Sequence, residues 1–178
     1  MTILDFILRA DPLSVAIAAA DRETLTYAAL GAAVVETQRS LNSAGLGRKD
    51  KVAIVLPNGP DMAVAFVALS GSVIAAPLNP AFREDEFRFY MQDLDVKALV
   101  VEKASASPAV AAAKSLGIPV MSFADLVLET SARGETNHPG LVGKDEVALA
   151  LHTSGTTSRP KIVPLTQGNL VASAMNIA

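Results

Sequence analysis

Cysteine and tryptophan are absent from this 178-residue chain, histidine occurs twice, and aromatic residues make up only 4%. Without cysteine there can be no disulfide and no thiolate metal site. His138 and His152 lack a ligand spacing, which sets a zinc site aside. No run of basic residues occurs, and the formal net charge is −3 with a pI near 5.3. Nucleic acid is therefore a poor partner. The chain does not open on a basic-then-apolar leader pattern, because Asp5 and Asp11 interrupt it. Met62 to Leu78 carries no charge over seventeen residues, but a membrane-spanning helix needs about 20 apolar residues. Ser70, Gly71, Ser72 and Pro77 break the stretch, so a buried helix followed by a strand explains it better. These features together suit a cytoplasmic protein.

What the chain does hold is aliphatic material, 51% of it hydrophobic, enough for one well-filled core of Ala, Val, Leu and Ile. Length fits one domain, by the usual figure of roughly 100–200 residues. Short apolar runs without polar alternation recur at Lys51 to Leu56, Ile74 to Leu78, Ala98 to Val101, Ile118 to Met121 and Val147 to Leu151. Such runs predict strands buried on both faces. Between them lie helical patterns. Thr26 caps one that ends near Gly45, and Asp61 caps the next, Met62 to about Ser70. Arg83 to Leu94 places Phe87, Tyr90, Met91 and Leu94 on one face, and Ser107 and Pro108 open an Ala-rich helix. At the start, Thr2 to Ala10 reads as a helix, and Val15 to Ala19 and Leu25 as a hairpin. Ala124 to Thr130 reads as a short helix, Ser131 to Lys144 as a flexible surface loop, and Thr166 caps a last helix from Gln167 to Ile177. The expected fold is α/β, a mainly parallel sheet with helices on both faces. In such sheets ligands bind beyond the carboxyl ends of strands.

The stretch after Leu151 carries the chemistry. Thr153, Ser154, Thr156, Thr157 and Ser158 put five hydroxyls around Gly155, and Arg159, Pro160 and Lys161 follow. Hydroxyls and exposed backbone N–H groups can surround phosphate oxygens, and Lys161 adds positive charge. This is not the P-loop pattern, which needs glycine before the lysine and a helix after it. Pro160 and the β-branched Ile162 and Val163 instead put Lys161 on an extended return segment. A Ser/Thr-rich turn closing a hairpin and a phosphate site both fit the composition. Arg159 reads as a surface charge, His138 as a solvated loop residue, and His152 as a strand-end packing residue, since nothing in the sequence pairs with it. Asn58 and Asn79 read first as turn residues.

Thr153 to Lys161 resembles the phosphate-loop signature of the adenylate-forming superfamily, in type and spacing over nine consecutive positions. His152 through Pro164, with Leu165 to Gln167, Asn169 and Leu170, is most similar to the oxalate–CoA ligase branch. Lys51 to Asn58, Ala76 to Pro80 and the helix from Glu84 to Asp95 are similar to early sheet segments of the superfamily. The likeness extends over roughly Leu25 to Leu170. It implies an ATP-dependent acid–CoA ligase using ATP, Mg²⁺ and coenzyme A on a small carboxylic acid: oxalate, a fatty acid or an aromatic acid. It further implies that Thr153, Ser154, Gly155, Thr156 and Thr157 cradle the β- and γ-phosphates, with Lys161 neutralising charge. Residues 1–178 would then be the N-terminal part of the AMP-binding domain, inactive alone. Its unpaired sheet edges and apolar faces would favour self-association. Ile162 stands where most members have glycine, and on that departure rests the alternative, a non-catalytic regulatory or scaffold module with a disabled phosphate loop.

Overall fold

The computed structural model describes residues 1–20, 22–153 and 160–177. Two short elements open the chain: helix α1 (Ile3–Ile7) and an antiparallel ribbon of β1 (Val15–Ala19) and β2 (Arg22–Thr26). The main sheet takes β3 (Lys51–Val55), β4 (Ile74–Pro77), β5 (Val96–Val101), β6 (Val120–Ala124), β7 (Val127–Glu129), β8 (Val147–Thr153) and β9 (Lys161–Thr166). Its strand order is β7-β6-β5-β3-β4-β8-β9. The inner strands run parallel, while β7 and β9 are antiparallel to their neighbours at the two rims. Helices α2 (Tyr27–Ser43), α3 (Pro60–Ser70), α4 (Glu84–Asp93), α5 (Pro108–Ser115) and α6 (Gln167–Ile177) complete the chain. The expected α/β fold with a mainly parallel sheet is what forms.

Side-chain alternation along the strands divides the core in two. Val52 and Ile54 of β3 and Ala98 and Val100 of β5 pack on the side of α2 and α3. Ala53, Val55, Leu99 and Val101 pack on the side of α4 and α5, around Phe87 and Met91. Every residue of such a strand meets a helix, which is why the sequence runs are apolar without alternation.

Local chemistry sets the helix ends. Thr26 Oγ1 accepts from Ala29 N at 3.3 Å, the cap expected for α2. Gly45, at φ +86°, follows the C-terminus of that helix in the left-handed region that glycine enters freely. Glu84, Asp85 and Glu86 crowd the first turn of α4, and Glu86 accepts from Arg83 N at 2.9 Å, favourable against the helix dipole. For α3 the expectation needs correcting. The N-cap is Gly59, with Pro60 at the first position, where a missing N–H costs nothing. Asp61 lies inside the first turn and pairs with Arg22 at 2.6 Å.

Two further expectations change. Ala124 to Thr130 is not a helix but the β6–β7 hairpin, with Asp125 and Leu126 turning the chain at φ +49° and +68°. A two-residue turn with both φ positive matches strand twist, and Leu126 packs against the core beneath it. Strand pairing and burial outweigh local helix preference there. Ser131 to Lys144 is a strap rather than a free loop. Gly134 N donates to Ser43 O at 3.1 Å, Gly140 N to Asn42 Oδ1 at 2.9 Å, and Val142 N to Gly71 O at 2.9 Å. Arg48 N donates to His138 O at 2.9 Å, and a Cβ on the adjacent Gly47 would lie 2.3 Å from that oxygen, so only glycine lets the strap approach. The backbone hydrogen bonds and Val142, buried near its C-terminal end, hold a segment whose polarity suggested solvent.

Candidate functional site

Strand β8 ends at the sheet rim in an antiparallel pairing with β9: Leu151 opposes Val163, His152 opposes Ile162, and Thr153 opposes Lys161. Thr153 Oγ1 donates to Lys161 O at 3.4 Å. β8 ends at one of these two residues and β9 begins at the other, so two of the predicted site residues are brought together. Ser154, Gly155, Thr156 and Thr157, with Ser158 and Arg159, lie outside the described residues. Lys161 is solvent-exposed and forms no ion pair among the described residues. Ile162 is an ordinary strand residue, 39% exposed. It is not among the residues with positive φ, so the backbone at this position does not demand glycine.

A cavity of about 400 Å³ opens beside this neck. Strand order places it: after β4 the chain crosses back to β5 on one side, and after β8 it turns out to β9 on the other. Departing connections leave a crevice at the carboxyl ends of neighbouring strands. Pro77, Leu78 and Asn79 come from the end of β4, Phe82 and Tyr90 from around α4, and His152 and Thr153 from β8. Phe82 and Tyr90 stack at 4.8 Å with 10° between their planes. Asn79 Oδ1 accepts from Ala81 N at 3.0 Å, the turn role expected, and its side of the turn also lines the cavity. Nothing in the sequence distinguished this second role.

His152 has a partner that sequence reading missed. Its Nε2 lies 2.8 Å from Asp93 Oδ2, on the last residue of α4, and its ring meets Tyr90 edge-on at 4.7 Å. The side chain is 8% exposed. Among the described residues its Nδ1 is buried without a hydrogen-bond partner. Fifty-nine positions separate the pair. The one available signal was an acid at a helix C-terminus, where the dipole disfavours it.

The opposite end of β8 is pinned by charge. Arg48 Nη1 donates to both oxygens of Glu146, at 2.7 and 2.8 Å, and Gly143 N donates to Glu146 Oε2 at 2.7 Å. The Gly143 amide first, then Arg48, holds the Glu146 carboxyl below its ordinary range. His138 lies in the strap, away from this site. Among the described residues no three His, Cys, Asp or Glu side chains cluster to hold a metal. No described helix is long and apolar enough to cross a membrane.

A family model for the AMP-binding enzymes matches residues 8–178. The chain belongs to this family. It is 42% identical over 154 residues to an oxalate–CoA ligase of Arabidopsis thaliana, covering 78% of this chain and 29% of that protein. An oxalate–CoA ligase of Saccharomyces cerevisiae is 37% identical over 162 residues, with 74% and 30% covered. A 2-succinylbenzoate–CoA ligase of Bacillus mycoides is 31% identical over 156 residues, with 87% and 30% covered. The chain thus spans 29–30% of the length of these relatives. Among solved structures, o-succinylbenzoate coenzyme A synthetase from Bacillus subtilis in complex with AMP superposes with a TM-score of 0.78 at 26% identity, over 99% of this chain and 45% of that one. Apo MatB from Rhodopseudomonas palustris also gives 0.78, at 24% identity, over 99% and 37%, and shares the fold.

Proposed function

We propose that residues 1–178 form the N-terminal part of an ATP-dependent acid–CoA ligase and carry its triphosphate-binding loop. The observation that supports this most is the pairing of Thr153 with Lys161 at the carboxyl end of β8, beside a cavity. It sets a hydroxyl and a cation at one mouth of the sheet. Thr153, Ser154, Gly155, Thr156 and Thr157 would donate to β- and γ-phosphate oxygens, and Lys161 would neutralise charge there.

In the first step a carboxylate oxygen attacks the α-phosphorus of ATP, and the bond to the bridging oxygen breaks. The products are an acyl-adenylate and pyrophosphate. In the second, the sulfur of coenzyme A attacks the acyl carbon, AMP leaves, and the thiol proton is lost. Negative charge grows on the departing pyrophosphate in the first step. Donors fixed around its oxygens before reaction lower that barrier most. Mg²⁺, carried on the phosphates, would supply further charge neutralisation. Among acids, oxalate comes first, from the resemblance to oxalate–CoA ligases, ahead of fatty and aromatic acids.

In the full-length protein, Lys161→Ala and Thr156→Val should each slow ATP–pyrophosphate exchange, by roughly 100-fold where a transition-state donor is lost. Exchange unchanged in both variants removes the assignment. The 178-residue chain alone should be inactive. Calorimetry with ATP·Mg²⁺ on both forms separates this reading from a non-catalytic module: binding in neither favours the module, binding in the full-length protein favours the ligase. We place the protein in the cytoplasm, which fractionation checks. Self-association of the isolated chain is part of the same proposal, and exposed Leu13, Met175 and Ile177 support it. A monomeric sizing profile at high concentration counts against it.

A further inference from the structure

Asp93 and His152 break two local rules at once. Asp93 ends α4 with no basic residue in the last turn to balance it, against the helix dipole. His152 is buried with Nδ1 unpartnered among the described residues, a position that an apolar ring would fill without desolvation cost. Each violation makes sense only through the other, because the carboxylate and the imidazole meet at 2.8 Å. Breaches of local preference that persist together mark functional or strained positions. Both residues adjoin the neck: His152 directly precedes Thr153, and it lines the same cavity.

A carboxylate only accepts hydrogen bonds, so Nε2 carries the proton in this pair. Tyr90 holds the ring edge-on from the same helix. Two contacts from α4, one polar and one aromatic, therefore fix the last turn of β8 against the helix that walls the cavity.

We propose that Asp93 and His152 are positioning residues for triphosphate binding: Asp93 locks His152 as the Nε2–H tautomer, and the locked ring keeps Thr153 opposed to Lys161. The proposal rests on the phosphate-binding reading above. Neither residue touches the reacting atoms. Their role is to hold the point where the phosphate-binding segment is rooted.

With two histidines in the chain, long-range ¹⁵N–¹H spectra of the 178-residue protein read the tautomer directly, His138→Asn supplying the assignment. The wild type should show His152 as Nε2–H. Asp93→Ala should mix the tautomers and shift the backbone amides of Thr153 and Lys161. Asp93→Glu keeps a carboxylate, which can only accept, and should restore both. In the full-length protein, Asp93→Ala should raise the KM for ATP about tenfold, the scale of one charge-assisted hydrogen bond, with Asp93→Glu near wild type. An Nδ1–H wild type overturns the proposal, as do unmoved Thr153 and Lys161 amides in Asp93→Ala, or equal effects of the two variants. If the full-length wild type lacks ATP–pyrophosphate exchange, the phosphate reading fails instead, while the ligand-free spectra still decide whether the pair holds the neck.

Discussion

In β3 and β5 the side chains alternate between two helical layers, and Val52, Ile54, Leu99 and Val100 are all fully buried. In β8 and β9 burial is confined to Ala148, Leu149 and Ala150, and the strands become exposed toward Thr153 and Lys161. The same sheet therefore has a centre held by packing and a rim held by a few named polar contacts. A residue in the centre is fixed by everything around it. A residue at the rim can present its side chain to a ligand, since little else claims it.

The sharpest way to break this comparison is to truncate a large apolar side chain to alanine in each region. Phe87 is wholly buried and meets Phe82 edge-on at 5.7 Å. Phe87→Ala should cost about 3–5 kcal/mol, through lost transfer energy and the cavity left behind. Ile162→Ala, at the exposed rim, should cost less than about 1 kcal/mol. Urea unfolding of both variants reads the difference. Similar losses in the two would mean that the rim is packed as tightly as the centre.

Glu146 joins the regions, since it anchors β8 to Arg48 beside the central strand β3. Its carboxyl is held below the ordinary glutamate value, chiefly by the Gly143 amide and then by Arg48. The ionised form is therefore favoured by folding. That contribution is complete above about pH 5, declines as pH falls through about 4.3, and is gone below the depressed folded value. Glu146→Gln should lose about 1.5 kcal/mol at pH 7, and the difference from wild type should shrink in acid. Asp5, bonded by Thr2, and Asp95, bonded by Lys97, are lowered as well, so the test is the difference between the two pH profiles, not the acid limb itself. A difference independent of pH would show that packing, not charge, anchors β8.

Legibility in the sequence follows the same division. The central strands and their helices could be placed because their apolar runs, caps and turns are local signals that agree with one another. Ala124 to Thr130 was misread because its helical preference is local, whereas the hairpin that overrides it depends on pairing with β6. The strap at 131–144 was misread because it is held largely through its own backbone, by Ser43 and Asn42 of α2, Arg48, and Gly71 just after α3, contacts that no side-chain pattern in the strap reveals. At the site, the chemical type of Thr153 and Lys161 was plain from the residues. The partner of His152 was not, because 59 positions separate it from Asp93 and no periodicity links a helix end to a strand end. Contacts of that kind come from topology, which is where the short pattern of a binding loop stops informing.

The smallest effect tests whether the centre is as complete as its burial suggests. Thr37 faces inward from α2, 1% exposed, and among the described residues its Oγ1 lacks a hydrogen-bond partner. An unpaired buried hydroxyl opposes folding, and valine has nearly the same shape without the polar atom. Both residues are β-branched and equally suited to a helix, so the comparison isolates the hydroxyl. Thr37→Val should stabilise the chain by about 1 kcal/mol in urea unfolding. Destabilisation instead would mean that the hydroxyl bonds a buried water. The centre would then owe part of its stability to polar contacts, as the rim does.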